Sequence, residues 1–186
     1  MKKFTFCFLT FIFVLNCYAQ RLQKIAELSS TFTSGSWDFM NNVEDAVSMN
    51  GIAYFAADDG IHGAELWRSD GTEAGTWMVK DIYSSIFQAP SRPHNFFVHN
   101  NEVYFSAFNE LGAELWKTDG TTQGTILVAD INVNGNAGPY PFASYKNELY
   151  LLAFTDATGM DVWKYDGQQI TPFEIISGIN GLGVGY

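Results

Sequence analysis

The sequence predicts an all-β fold, about three four-stranded antiparallel units plus an unpaired N-terminal strand, and three observations predict it. A long unit recurs, every copy is strand-like, and every copy places an Asp-Gly turn at the same point. Residues 51–82 read GIAYFAADDGIHGAELWRSDGTEAGTWMVKDI and residues 101–131 read NEVYFSAFNELGAELWKTDGTTQGTILVADI. A degenerate copy, NELYLLAFTDATGMDVWKYDGQQITPFEII, occupies 147–176. Trp67, Trp116 and Trp163 recur 49 and 47 residues apart, near the repeat of roughly 40 to 50 residues that makes one four-stranded propeller blade. Helical repeats overlap this period only partly, and the β-branched and aromatic residue types decide against them. The expectation is a partial β-propeller.

The chain of 186 residues opens on a segment unlike the rest. Lys2 and Lys3 precede an apolar run from Phe4 to Leu15, and Cys17-Tyr18-Ala19 supplies small residues where a signal peptidase reads. Residues 1–19 are therefore expected to be a secretory signal peptide. The run is shorter than the roughly 18 apolar residues a spanning helix needs, so no membrane span is expected in the mature chain. Both cysteines, Cys7 and Cys17, leave with this segment, which removes disulfides, thiol catalysis and Cys-ligated zinc. The mature chain keeps 20 acids against 8 bases, so the formal charge goes from −10 to −12. Nucleic acid is a poor partner for such a surface, because phosphate recognition depends on Lys and Arg clusters.

After the signal, residues 20–42 read as an N-terminal strand, Ile25 to Leu28, and a loop. Repeat 1 spans 43–82, repeat 2 spans 83–131, the degenerate repeat 3 spans 132–176, and 177–186 is a glycine-rich tail. Within each repeat the first strand is expected at 43–49, 95–99 and 141–145. The second follows at 53–56, 103–106 and 149–152, apolar runs bounded by Gly, Asn and Asp. The third carries Glu65-Leu66-Trp67-Arg68, Glu114-Leu115-Trp116-Lys117 and Asp161-Val162-Trp163-Lys164. Alternation puts Leu66 with Arg68 on one face and Glu65 with Trp67 on the other, and leaves open which face is buried. Asp70-Gly71, Asp119-Gly120 and Asp166-Gly167 then support a turn with positive φ. The last strand is expected at 77–82, 126–131 and 172–176. Three blades fall below the roughly four to eight that close a ring, so the chain reads as an N-terminal piece of a longer repeat protein, or as a unit that pairs with another copy to cover its edges.

The segments ELWRSDGTEAGT and ELWKTDGTTQGT resemble the ELWxxDGT repeat, tandem units of secreted bacterial proteins that often carry a C-terminal sorting domain. The resemblance covers about residues 43–176. It implies a propeller-like protein exported to the cell surface, the periplasm or the medium of a Gram-negative bacterium, with no assigned catalytic activity. The third copy departs from the pattern at Asp161, Val162 and Gly167-Gln168-Gln169.

Candidate site residues follow from chemistry. Asp58, Asp59 and Glu65 lie in the acid-rich loop after the second strand; they are candidate calcium ligands, or else turn caps whose side chains bond nearby backbone N–H groups. No other cofactor is expected. His62, His94 and His99 lack ligand-like spacing. The Asp-Gly-Thr turn has residue types of the sialidase Asp-box at different spacing, yet Arg21, Arg68 and Arg92 do not form the arginine cluster such catalysis needs. The recurring tryptophans are expected to pack between blades. Trp37, Trp77 and Tyr140 do not recur, and are the candidates for stacking on a glycan or packing against a protein partner. The leading reading is an exported binding or adhesion module without enzymatic activity. Its rivals are a secreted hydrolase with a site where blade loops converge, and a structural spacer.

Overall fold

The computed structural model describes residues 46–84 and 89–173. Residues 1–19, where a signal peptide is expected, the strand expected at 25–28, Trp37, residues 43–45 and everything from 174 onward lie outside the described residues. Among the described residues twelve strands form three sheets. The first holds β1 (Val47–Met49), β2 (Ile52–Asp58), β3 (Ala64–Ser69) and β4 (Trp77–Lys80). The second holds β5 (His94–His99), β6 (Glu102–Asn109), β7 (Gly112–Thr118) and β8 (Ile126–Ala129), and the third β9 (Tyr140–Tyr145), β10 (Glu148–Thr155), β11 (Gly159–Tyr165) and β12 (Ile170–Pro172). In each sheet, strands adjacent in sequence pair antiparallel. No helix of the described residues is long and apolar enough to cross a membrane.

Local chemistry explains the hairpins. Each first strand turns into the second through two residues, Asn50-Gly51, Asn100-Asn101 and Lys146-Asn147, all with φ between 50° and 77°. Positive φ at both central positions is the geometry of a type I′ turn, whose twist matches that of the flanking strands. The last strands of the first two repeats end two residues earlier than expected, at Lys80 and Ala129, and β12 begins at Ile170 rather than Pro172. Tyr165 pairs directly with Ile170, whereas Lys117 pairs with Ile126, because the third copy lacks the Thr-x-x-Gly-Thr arm that lengthens the other two loops.

Both faces of β3 and β7 are buried, which resolves the alternation left open by the sequence. One core cluster joins Met49, Tyr54, Leu66 and Val79 of the first sheet, with Ile82 just after it, to Val103, Phe105, Ala107 and Trp116 of the second. The other joins Tyr104 and Leu115 of the second sheet to Leu149, Leu151, Ala153 and Tyr165 of the third, with Trp163 packed against it. The Leu of each motif thus faces the following sheet and the Trp the preceding one. Bulges at Leu66/Trp67 and Leu115/Trp116 interrupt the pairing with the last strand, adding local twist where the faces meet. The first strands are tied side by side. Asn50 donates to Asn101 Oδ1 at 2.6 Å, Asn95 to the Pro139 carbonyl at 3.2 Å, and His99 Nδ1 lies 2.7 Å from Ser144 Oγ. Three antiparallel four-stranded meanders, packed face to face in chain order with their first strands together, are three consecutive blades of a β-propeller.

Candidate functional site

The signature glutamates are buried pins. Glu65 begins the ELW motif on β3 and is fully buried. The N–H of Ile82 donates to Glu65 Oε2 at 2.9 Å, the N–H of Ser91 to Oε1 at 2.8 Å, and the Ser91 hydroxyl to Oε2 at 2.5 Å. These donors belong to the linker between the first and second blades. Glu114, also fully buried, receives the N–H groups of Ile131 at 2.7 Å and Ala137 at 3.1 Å from the next linker. Each linker residue also bridges two sheets. Ser91 O accepts from Phe108 N–H at 2.7 Å and Ala137 O from Phe154 N–H at 2.8 Å, while the following N–H, Arg92 or Gly138, donates back to Ala64 O or Ala113 O. Burial pushes the Glu114 carboxyl up to about 7 against the pull of its N–H donors, with Asp130 adding to the rise; burial likewise raises Glu65.

The Asp-Gly-Thr loops are closed upon themselves. Asp70 Oδ1 accepts the N–H and hydroxyl of Thr72, whose hydroxyl oxygen accepts Gly75 N–H, while Ser69 Oγ meets Thr76 Oγ1 at 2.6 Å. Asp119, Thr121, Gly124, Thr118 and Thr125 repeat the arrangement within 0.1 Å. The hydroxyl and amide of Thr121 hold the Asp119 carboxyl below its ordinary value. Gly71 and Gly120 sit at φ 88° and 94°, a region that favours glycine, and a Cβ at Gly75 or Gly124 would overlap the Asp carboxylate.

The second loop clasps the first blade. Arg68 Nη1 donates to Gly120 O at 3.0 Å, Lys80 Nζ to Thr125 O at 2.7 Å, and Thr122 Oγ1 to Val79 O at 2.8 Å. A Cβ at Gly120 would strike the Tyr54 hydroxyl. Arg68 also lies 4.5 Å from the centroid of the Trp77 ring, within cation–π range. Trp77, 43% exposed, is thereby an aromatic platform beside the seam between two blades.

The seam between the second and third blades is built differently. Lys117, which matches Arg68, pairs with Glu102 of its own blade at 2.9 Å, and the Tyr104 hydroxyl donates to Glu102 at 2.8 Å. Tyr165 replaces the Ser69 or Thr118 hydroxyl and packs against Tyr104, ring centroids 6.0 Å apart. Its loop is reduced to Asp166 Oδ1 accepting the N–H groups of Gln168 and Gln169. Asp161, where the first two copies carry Glu, is exposed.

The calcium candidates are not brought together. Asp58 Oδ1 accepts Gly60 N–H, and Asp59 accepts the N–H groups of Ile61 and His62 and faces the His62 ring at 2.7 Å. Burial pushes Asp59 up, but the His62 and Ile61 bonds outweigh it and leave the carboxyl low; the Asp59 bond raises His62. Glu65 has both oxygens occupied by the linker. Among the described residues no three His, Cys, Asp or Glu side chains stand where they could hold a metal ion. A cleft of about 500 Å³ beside the β6–β7 turn is lined by Tyr83, Leu111, Asn134 and Asn136 among others, with Glu110 as the one carboxylate among the described residues on its wall. Neither Trp77 nor Tyr140 enters it. Tyr140 opens the first strand of the third blade, 51% exposed, while Trp77 opens the last strand of the first.

Sequence reasoning missed the pinning role of the glutamates. The signal for it is the spacing, since Glu65 to Ile82 and Glu114 to Ile131 are both 17 residues.

No protein-family model matches the chain, and no curated protein sequence matches it. Among solved structures it is similar to the Pyrococcus horikoshii acylaminoacyl peptidase, at 15% sequence identity and a TM-score of 0.41, over 67% of this chain and 18% of that one. It is also similar to the β-propeller domain of the Trilobed protease from Pyrococcus furiosus, a domain with an open velcro topology, at 14% identity and a TM-score of 0.42, over 68% of this chain and 37% of that one. The chain thus spans well under half the length of either. Its own seams define its class, a propeller-type blade array.

Proposed function

We propose that the chain is an exported binding or adhesion module of the ELWxxDGT type, with no catalytic role of its own. The observation that supports this reading is where the signature side chains are spent. Glu65 and Glu114 each pin the linker of a seam, and Arg68 with the second Asp-Gly-Thr loop fastens the first blade to the second, so the signature side chains are consumed in packing. The Trp77 ring, held beside Arg68 at the first seam, is the surface group suited to stack on a sugar ring or an aromatic partner. A glycosidase needs two facing carboxyl groups about 5 to 10 Å apart, whereas the cleft by β6–β7 carries one among the described residues.

The test is a glycan array and a panel of chromogenic glycosides presented to the purified protein. Binding weakened at least about tenfold by Trp77→Ala, without turnover, is the expected outcome; a tenfold loss corresponds to about 1.4 kcal/mol. Turnover abolished by Glu110→Gln would establish the hydrolase reading instead.

A further inference from the structure

The two seams differ in the preceding blade's trailing face, the one turned to the next blade, and the difference is written in three positions. In the first blade they are Ile52, Tyr54 and Arg68; in the second, Glu102, Tyr104 and Lys117; in the third, Glu148, Tyr150 and Lys164. Register fixes the correspondence, because Ile52, Glu102 and Glu148 pair with Met49, His99 and Tyr145 at the same hairpin, and each Tyr pairs with its cation. Where the position holds Ile52, the cation reaches across the seam, and Arg68 grasps the carbonyl of an intact Asp-Gly-Thr loop. Where it holds Glu102, Lys117 and Tyr104 are tied back into their own blade, and the arriving blade offers the Tyr165 ring instead.

The third blade repeats the second arrangement. Lys164 pairs with Glu148 at 2.8 Å and the Tyr150 hydroxyl donates to Glu148 at 2.7 Å. Among the described residues its trailing face is nonetheless open. Phe154 and Phe173 are 40% exposed and Met160 is 58% exposed. In the second blade Ala113, which matches Met160, is buried, as is Leu115 two residues on, packed under the third blade. Phe173 meets the Tyr150 ring edge-on at 5.2 Å, extending the aromatic surface.

We infer that the trailing face of the third blade is the docking surface for one further blade of the degenerate type, presenting an aromatic side chain at the Tyr165 position in place of an Asp-Gly-Thr clasp. An intact loop fits poorly, because its Gly carbonyl would meet a lysine already neutralised by Glu148. The first blade of a second copy, with its intact loop Ser69 to Thr76, is therefore not the occupant. This inference stands whatever the module binds.

The test compares the whole chain with two extended forms, one carrying a second copy of residues 132–173 after Tyr186 and the other a second copy of residues 83–131. Mild oxidation of Met160 reads coverage of the face, and buried Met49, 5% exposed, reports that the original blades remain folded. The degenerate extension is expected to slow Met160 oxidation about tenfold, the drop for a site that opens about one time in ten, and the intact extension to leave it unchanged. The double variant Glu148→Ile with Lys164→Arg is expected to reverse that preference. Protection by both extensions alike, by neither, or by the intact one alone in the parent face overturns the inference. So does Met160 protection in the unextended chain that grows with protein concentration, which would make a second copy the occupant.

Discussion

Each seam is filled by an apolar cluster, to which the first adds charged side chains reaching across it and the second a pair of packed tyrosine rings. At the first, Glu65 takes three donors from the linker, and Arg68, Lys80 and Thr122 reach across to the neighbouring blade. At the second, Glu114 takes backbone N–H donors alone, Ala137 has no hydroxyl to offer, and Tyr165 lies on Tyr104. The backbone bridge through Ser91 or Ala137 is the same in both. The linker sets the spacing of neighbouring blades, and the side chains around it are exchangeable so long as both partners of a seam change together.

The largest expected effect breaks the shared part. Glu65→Ala orphans the Ser91 hydroxyl and two backbone N–H groups, and Glu114→Ala orphans backbone N–H groups alone, at about 1 to 3 kcal/mol for each buried group left unsatisfied. Chemical denaturation should show both destabilised. A loss under about 1 kcal/mol in either would mean that its donors find other partners. Next comes pH. With Glu114 at about 7 when folded against an ordinary value near 4.5, the folded protein binds more protons than the unfolded chain between those limits. Stability from this group is therefore full below about pH 4.5, falls as pH rises, and levels off above about pH 7. The loss is about 3 kcal/mol at most, since each pH unit between the two values is worth about 1.36 kcal/mol. Glu114→Gln should flatten that part of the profile in urea melts at stepped pH, and an unchanged slope would refute the assignment.

Smaller effects separate the seams. Arg68→Ala removes a charge-assisted bond between blades and should cost about 1.5 to 3 kcal/mol, while Lys117→Ala breaks a part-exposed pair within one blade and should cost under about 1 kcal/mol. Parity between them would erase the distinction. Least of all, Trp77→Ala should lower stability by no more than about 1 kcal/mol, since the ring is 43% exposed and a substitution at an exposed position is usually mild.

Much of the fold was legible because period-2 strands, Asp-Gly turns and a recurring Trp are local signals. The ends of the last strands were not, since β12 starts where Tyr165 happens to pair with Ile170. The site was harder to read. Glu65 looked like a loop acid because its partners, Ile82 and Ser91, lie 17 and 26 residues away, and burial of a carboxylate against backbone N–H groups leaves no mark in composition. Trp77 was visible as an aromatic that does not recur, but the guanidinium beside it required the pairing of β3 with β4.

The linker bridge has a mechanical consequence. Because each blade is joined to its neighbour by the same strap but by a different set of grips, the array does not share tension evenly. Pulled from its two ends, it is expected to part first between the second and third sheets, where Lys117 and Glu102 close within one blade instead of spanning the gap as Arg68 does. A protein tethered at a surface would then lengthen by one blade under load while the first two stay joined, a stepwise yielding that a force–extension trace would register as its lowest peak.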